Sequence, residues 1–185
     1  MKLGIDIDDV ITDTSNEIYK YILEYDKNEE IIPYLVEIMR GEIPEIAKDF
    51  LNKNTLKIFS TVKVKENVQN IINKLLDDGD KIYIITSRGE KKYKGSKKLT
   101  LEYLKNNNIK YTKLILDSFE KAKICKENHI DILIDDSVKY CENFKNIGGQ
   151  SIVFTSKVNE SISTNIPRVN NWLDLYDKIN EIKGK

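Results

Sequence analysis

Residues 1–15 read MKLGIDIDDVITDTS and run from the apolar stretch Leu3-Gly4-Ile5 straight into Asp6, Asp8 and Asp9. A short apolar run of this kind is the signature of a strand buried on both faces of a parallel sheet, so three carboxylates stand at its carboxyl end. Two carboxylates about 4 Å apart repel by roughly 4 kcal/mol at an effective dielectric of about 20. Such a cluster persists only where a cation, a proton or a function compensates it, and a hard divalent metal is the first candidate.

Outward from this strand, further short runs rich in β-branched residues alternate with segments of helical period. Lys81 to Thr86 (KIYIIT), Tyr111 to Leu116 (YTKLIL), Asp131 to Ile134 with its trailing acids (DILIDD) and Gln150 to Phe154 (QSIVF) follow Lys2 to Asp6. Helices are expected over Lys65 to Leu76, Ser96 to Asn106, Ser118 to Glu127 and Ser137 to Asn146, three of the four opening near a serine that could cap them. A last helix spans about Asn171 to Ile182 and places Trp172, Leu175 and Ile179 on one face, which reads as core packing. Strands alternating with helices give an α/β doubly wound parallel sheet.

About seventy residues separate the first two strands, far more than a crossover needs, so something is inserted there. Ile18, Tyr21, Ile22, Tyr25, Ile31, Tyr34, Leu35, Ile38, Ile46, Phe50 and Phe59 follow a helical pattern, with Pro33, Gly41 and Pro44 as punctuation. The expected organisation is an α/β core of residues 1–13 and 62–185 and a helical cap of residues 14–61.

In a sheet of the common order 3-2-1-4-5, the first strand is central and the winding reverses between it and the fourth, which is where ligands bind. Asp6 and Asp8, Asp135 and Asp136, and Thr86-Ser87-Arg88 then meet on one rim. In this order, Asp6-Ile7-Asp8, Thr86, Lys121 and Asp135-Asp136 resemble the four motifs of the haloacid dehalogenase-like phosphatase superfamily. The helical insert is similar to that superfamily's C1-type cap. The wording DIDDVITDT, ITSR and IDDS resembles the 5′(3′)-deoxyribonucleotidase branch and its bacterial relatives.

The resemblance implies a Mg²⁺-dependent phosphomonoesterase with Asp6 as the nucleophile that forms an aspartyl phosphate and Asp8 as the acid/base residue. Asp6, the Asp8 carbonyl and an acid of the fourth motif would hold Mg²⁺, Asp136 directly and Asp135 as its support. Thr86, Ser87, Arg88 and Lys121 would bind the phosphate, with Lys123 as the lesser candidate for the phosphate lysine. Many members carry Gly where this chain has Asp9, which reads equally as metal support or as a cap for the entry into the insert. Thr14-Ser15-Asn16 occupies a stretch where nucleotidases of that branch tend to offer an aromatic residue, a departure that weighs against pyrimidine recognition. The implied substrate is a small phosphorylated metabolite, a nucleoside monophosphate first and a sugar phosphate as the alternative.

Two features bear on that substrate. Tyr19, Tyr21, Tyr25, Tyr34, Phe50 and Phe59 of the insert are available to stack on a base or to pack the insert itself. Arg88 to Lys98, RGEKKYKGSKK, holds six basic residues and one acid on the nucleophile's rim, where it either steers an anion or is simply solvated.

Composition removes other classes. Lys and Arg number 30 against 30 Asp and Glu, so no global field recruits a nucleic-acid polymer or a membrane. The single histidine, His129, reads as structural, and its isolation excludes His-based triads and His-ligated metals. Cys125 and Cys141 read as reduced buried thiols. No apolar stretch suits a signal peptide or a membrane span, and a cytoplasmic location is expected. A receiver domain also combines acids, Thr and Lys on a parallel sheet, but it places its phosphoacceptor mid-chain, and here the second acid pair follows both Thr86 and Lys121. A silent binding relative would be expected to lack Asp6 or Asp8, and both are present.

Overall fold

The computed structural model describes residues 1–25, 30–34, 37–38 and 44–184. Its strands are β1 (Lys2–Ile5), β2 (Lys81–Ile85), β3 (Lys113–Ile115), β4 (Ile132–Asp135), β5 (Gln150–Phe154) and β6 (Arg168–Val169). They form one parallel sheet in the order β3-β2-β1-β4-β5-β6, the doubly wound arrangement expected, extended by one strand at its edge. β6 escaped the sequence reading because two residues carry no alternation to detect.

Helices bounded within the described residues include α1 (Thr14–Tyr25), α2 (Lys48–Thr61), α3 (Val68–Asp77), α4 (Ser96–Asn106), α5 (Lys121–Glu127), α6 (Val138–Asn146) and α7 (Trp172–Lys183). The expected serine caps do not form. Gly95 stands at the N-cap of α4, Ser118 lies before α5 and donates to the Ile115 carbonyl (3.1 Å), and Ser137 makes no side-chain cap to α6. Ser118 and Ser137 lie at strand ends, where a strand carbonyl takes the Ser118 hydroxyl and Asp135 takes the Ser137 amide, whereas the Ser96 hydroxyl is buried without a partner. Asn171 does cap α7, accepting from Leu173 N and Asp174 N.

Register sets the rim. Ile5 pairs with Ile84 on one side and Ile134 on the other, so Asp6 emerges beside Asp135, and Asp6 N donates to the Ile134 carbonyl at 3.0 Å. Leu3, Ile5, Ile82, Ile84, Ile132 and Ile134 form the main core with α3 and α7 residues such as Ile71, Leu75, Leu175 and Ile179. Cys125 and Cys141 are buried free thiols. His129 is exposed in a left-handed conformation (φ 54°) just beyond α5.

Trp172 is 1% exposed and its Nε1 donates to the Val10 carbonyl at 2.9 Å, so α7 holds the loop that follows Asp8 and Asp9. Trp172→Phe leaves that carbonyl unpaired and a small void beside it. We expect a loss of about 1–3 kcal/mol, read from urea unfolding.

Residues 14–61 carry a separate apolar cluster of Ile22, Ile31, Ile38, Ala47, Phe50, Leu51 and Ile58, with α1 against α2. Where the chain leaves and re-enters the α/β layer the two passages are bonded together, Asp13 N to Lys63 O (3.0 Å) and Lys65 N to Ile11 O (2.9 Å). Two positions of the apolar reading, Leu35 and Gly41, lie outside the described residues. Among the described residues no helix is long and apolar enough to cross a membrane.

Candidate active site

At the carboxyl ends of β1 and β4, Asp6, Asp135 and Asp136 each bring a carboxylate oxygen within 4.8 Å of the others. Lys121, the first residue of α5, enters the group from below. It is 1% exposed, with its Nζ 2.6 Å from Asp135 Oδ2 and 2.9 Å from Asp6 Oδ1. Lys123 points to solvent instead. The residues of the first, third and fourth motifs therefore share one pocket despite some hundred and thirty intervening positions.

Burial pushes the Asp6 carboxyl up to about 7, with Lys121 opposing and Asp135 and Asp8 adding to the rise. Burial raises Asp136 well above the carboxylate range, reinforced by Asp9, Asp135 and Asp6. Lys121 is held charged: burial alone would lower it, but Asp135 and Asp6 outweigh that. One lysine thus faces three carboxylates. Asp135 has both oxygens engaged, Oδ2 by Lys121 and Oδ1 by Ser137 N at 2.9 Å, whereas Asp136 accepts a 3.5 Å contact from Ser156 Oγ. A hard dication suits this donor set, since Asp6 and Asp136 offer oxygen ligands whose mutual repulsion it would relieve.

Asp8 stands apart from that group. Arg88 grips its carboxylate, with Nη2 at 2.7 Å from Oδ1 and Nε at 3.1 Å from Oδ2, and Thr14 Oγ1 donates to Oδ1 at 2.7 Å. Burial pushes Asp8 up, but Arg88 and Thr14 together bring it below the ordinary value. Of the four acids read as metal ligands, three converge through their carboxylates, and only a backbone contribution is left to Asp8. Arg88, read as a phosphate ligand, is committed to Asp8.

Asp9 adopts a left-handed backbone (φ 57°), a conformation glycine takes freely and Asp tolerates. Its Oδ1 accepts from Ser15 N at 2.9 Å and its Oδ2 from Ser15 Oγ, so it secures the first turn of α1 while facing Asp136. Thr14 and Ser15, noted for the aromatic residue they lack, instead fix Asp8 and Asp9.

Thr86 is fully buried, and its hydroxyl accepts from Arg88 N at 3.2 Å. Ser87 and Arg88, but not Thr86, line a cavity of about 380 Å³ that opens above the acids. The basic loop is pinned: Glu90 accepts from Gly95 N and Lys97 N (both 2.9 Å), and Lys91 N donates to Asp117 Oδ1 at 3.0 Å. Gly89 makes that packing possible, since a Cβ there would sit 2.3 Å from the Asp117 carboxylate.

Of the six aromatics proposed for stacking, Phe59 lines the cavity; Tyr25 instead meets Phe50 edge-on at 5.3 Å, and Phe50 lies in the separate apolar cluster of residues 14–61. Tyr93 and Tyr140 take the other aromatic places. Tyr140 lies in the first turn of α6, just after Asp136, and its ring is 4.8 Å from Lys121 Nζ. Asn159 was also unforeseen. It donates to the Asp136 carbonyl (2.6 Å) and is itself held by Arg168 Nη1 (2.8 Å), which is what β6 contributes to the rim.

Comparison with solved structures shows a shared fold. A "predicted phosphatase from Clostridium acetobutylicum" superposes with a TM-score of 0.67 at 16% identity, covering 97% of this chain and 98% of the other. The "putative HAD-hydrolase YfnB from Bacillus subtilis bound to magnesium" gives 0.64 at 12%, covering 97% and 98%. The fold is that of the haloacid dehalogenase-like hydrolases. Within that class, residues 1–185 match the family described as 5′ nucleotidase, deoxy (pyrimidine), cytosolic type C protein, and the chain belongs to this family of phosphatase-type enzymes. It is also 26% identical to "Putative nucleotidase YqfW" of Bacillus subtilis (strain 168), over 99% of this chain and 95% of that protein.

Proposed function

We propose that the protein is a Mg²⁺-dependent phosphomonoesterase that works through an aspartyl phosphate and takes a nucleoside monophosphate. The observation that carries the reading is the convergence of Asp6, Asp135 and Asp136 around Lys121 beneath a cavity that Asp8 also lines. An Asp6 oxygen attacks phosphorus as the bond to the leaving oxygen breaks, and Asp8, protonated against the pull of Arg88 and Thr14 as the phosphate dianion enters, supplies the proton that oxygen needs. Asp8, now a carboxylate, takes a proton from water as the water attacks phosphorus. The bond to Asp6 breaks and orthophosphate leaves. Lys121 offsets charge at the nucleophile throughout. The Thr86 hydroxyl accepts from Arg88 N and so holds the turn that presents Ser87 and Arg88 to the cavity.

Asp6, Asp136 and the Asp8 carbonyl would hold Mg²⁺, with Asp135 as support. When bound, the ion neutralises charge on the phosphoryl oxygens. The Bacillus subtilis structure with bound magnesium, on the same fold, accords with this. Saturating Mg²⁺ is expected to stabilise the protein by about 2–3 kcal/mol, or roughly 5–10 °C in Tm, relative to EDTA. Asp136→Asn should remove most of that shift in a thermal scan.

Residues 14–61 act as the cap in this reading. Phe59, Ile38 and Leu51 from the cap line the cavity together with Tyr93 and Tyr140 from the core, Phe59 and Tyr93 meeting edge-on at 6.1 Å, an apolar and aromatic chamber that suits a nucleobase better than a bare sugar. A family of nucleotidases and a nucleotidase relative support the same choice. Buried reduced thiols fit the proposed cytoplasmic location. The test is phosphate release from nucleoside 5′- and 3′-monophosphates and sugar phosphates, with and without Mg²⁺. Preference for nucleotides supports the proposal, a higher kcat/KM on sugar phosphates replaces the substrate, and metal-independent release overturns the mechanism.

A further inference from the structure

We propose that Arg88 is the positioning residue for Asp8, clamping its carboxylate against the cavity wall and coupling that clamp to the cap through Phe59. The inference rests on the reading above that Asp8 exchanges the protons. Arg88 comes from the loop after β2, eighty positions away in sequence, and is 1% exposed. Its Nη2 reaches Asp8 Oδ1 at 2.7 Å and its Nε reaches Oδ2 at 3.1 Å, so both oxygens are fixed in one plane, a geometry a lysine cannot reproduce.

The third nitrogen shows what the clamp leans on. Nη1 is buried and has no hydrogen-bond partner, and the guanidinium carbon lies 4.0 Å from the centroid of the Phe59 ring, with Tyr103 at 5.8 Å on another side. A buried N–H without an acceptor is costly, and the face of an aromatic ring is the available compensation. Phe59 belongs to the last turn of α2, where the cap rejoins the core. Any movement of that turn therefore moves the surface on which Arg88 rests. Without the clamp, a carboxylate two residues from Asp6 is drawn toward Lys121 and is lost to proton exchange.

p-Nitrophenyl phosphate separates the two steps. In the first, Asp6 bonds to phosphorus while p-nitrophenolate departs with the bonding electron pair and needs no proton. In the second, water attacks phosphorus, Asp8 accepts the water's proton and the electron pair of the broken bond returns to Asp6. Rapid mixing of wild type, Arg88→Lys and Phe59→Leu with this substrate and Mg²⁺ is the test, with thermal melting as the check on folding. In Arg88→Lys the first turnover should stay within about threefold of wild type while later turnovers slow about 30-fold, giving a burst of about one p-nitrophenolate per site. At saturating p-nitrophenyl phosphate, where the loss of Phe59 from the cavity wall does not limit the first turnover, Phe59→Leu should show the same pattern at about fivefold, and it carries the test alone if Arg88→Lys does not fold. First and later turnovers falling together, or neither falling, overturns the inference. Wild-type protein that releases no p-nitrophenolate overturns the phosphatase reading and takes the inference with it.

Discussion

Asp6→Asn is expected to abolish turnover, by at least about 10⁴-fold, because the amide cannot form the bond to phosphorus on which both steps depend. The same variant should melt no lower than the wild type. Burial holds the Asp6 carboxyl up at about 7, so ionising it at neutral pH works against folding. The sign follows from linkage: a carboxyl raised in the folded state contributes stability below its ordinary value near 4, and that contribution is lost as pH rises through about 7. Asparagine has no such loss, and Asp135 still neutralises Lys121. In EDTA the variant's advantage in Tm should therefore be largest near pH 8 and shrink toward pH 5. Measured turnover within tenfold of wild type would remove Asp6 from the role of nucleophile.

The parts of this site legible in the sequence are those encoded by continuous pattern. LGID and ILIDD are buried parallel strands that end in acids, and the reversal of winding between them dictates that Asp6 and Asp135 meet. Lys121 was legible through its place in the motif order, and its burial between two carboxylates gives that place a physical basis. Arg88 was not legible in the same way. Its position after Thr86 placed it on the rim, but its choice of Asp8 depends on a rotamer set by Phe59 and Tyr103, neither of which is near it in sequence. Asp9 shows a second kind of blindness: its left-handed backbone is visible only once the turn into α1 is built. The serine caps failed because propensity describes an isolated helix end, whereas Ser118 and Ser137 sit where strand carbonyls and Asp135 compete for their polar groups.

Lys121→Met tests the electrostatics of the whole cluster rather than one bond. Methionine matches the length of the lysine stem and leaves Asp6, Asp135 and Asp136 facing one another without a fixed cation. Removing one partner of a buried ionic group is costlier than the pair was worth, and about 3–5 kcal/mol of stability should be lost at pH 8 in EDTA. Two treatments should return part of it. Lowering the pH protonates carboxyls that burial has already raised, so the deficit should narrow as pH falls through about 7, the value for Asp6 beside an intact lysine. Adding Mg²⁺ supplies the missing positive charge by mass action, and the variant's Tm should rise more on saturation than the wild type's. Activity should not return with stability, because a cation shared among the carboxylates does not replace a donor fixed between Asp6 and the incoming phosphate; kcat/KM should stay down by about 10²–10³-fold. Melting curves for both proteins at pH 5 and pH 8, with Mg²⁺ and with EDTA, decide the matter. Coincident curves at pH 8 in EDTA would mean that the three carboxylates already share protons enough to need no lysine, and the charge argument for a bound dication would fall with it.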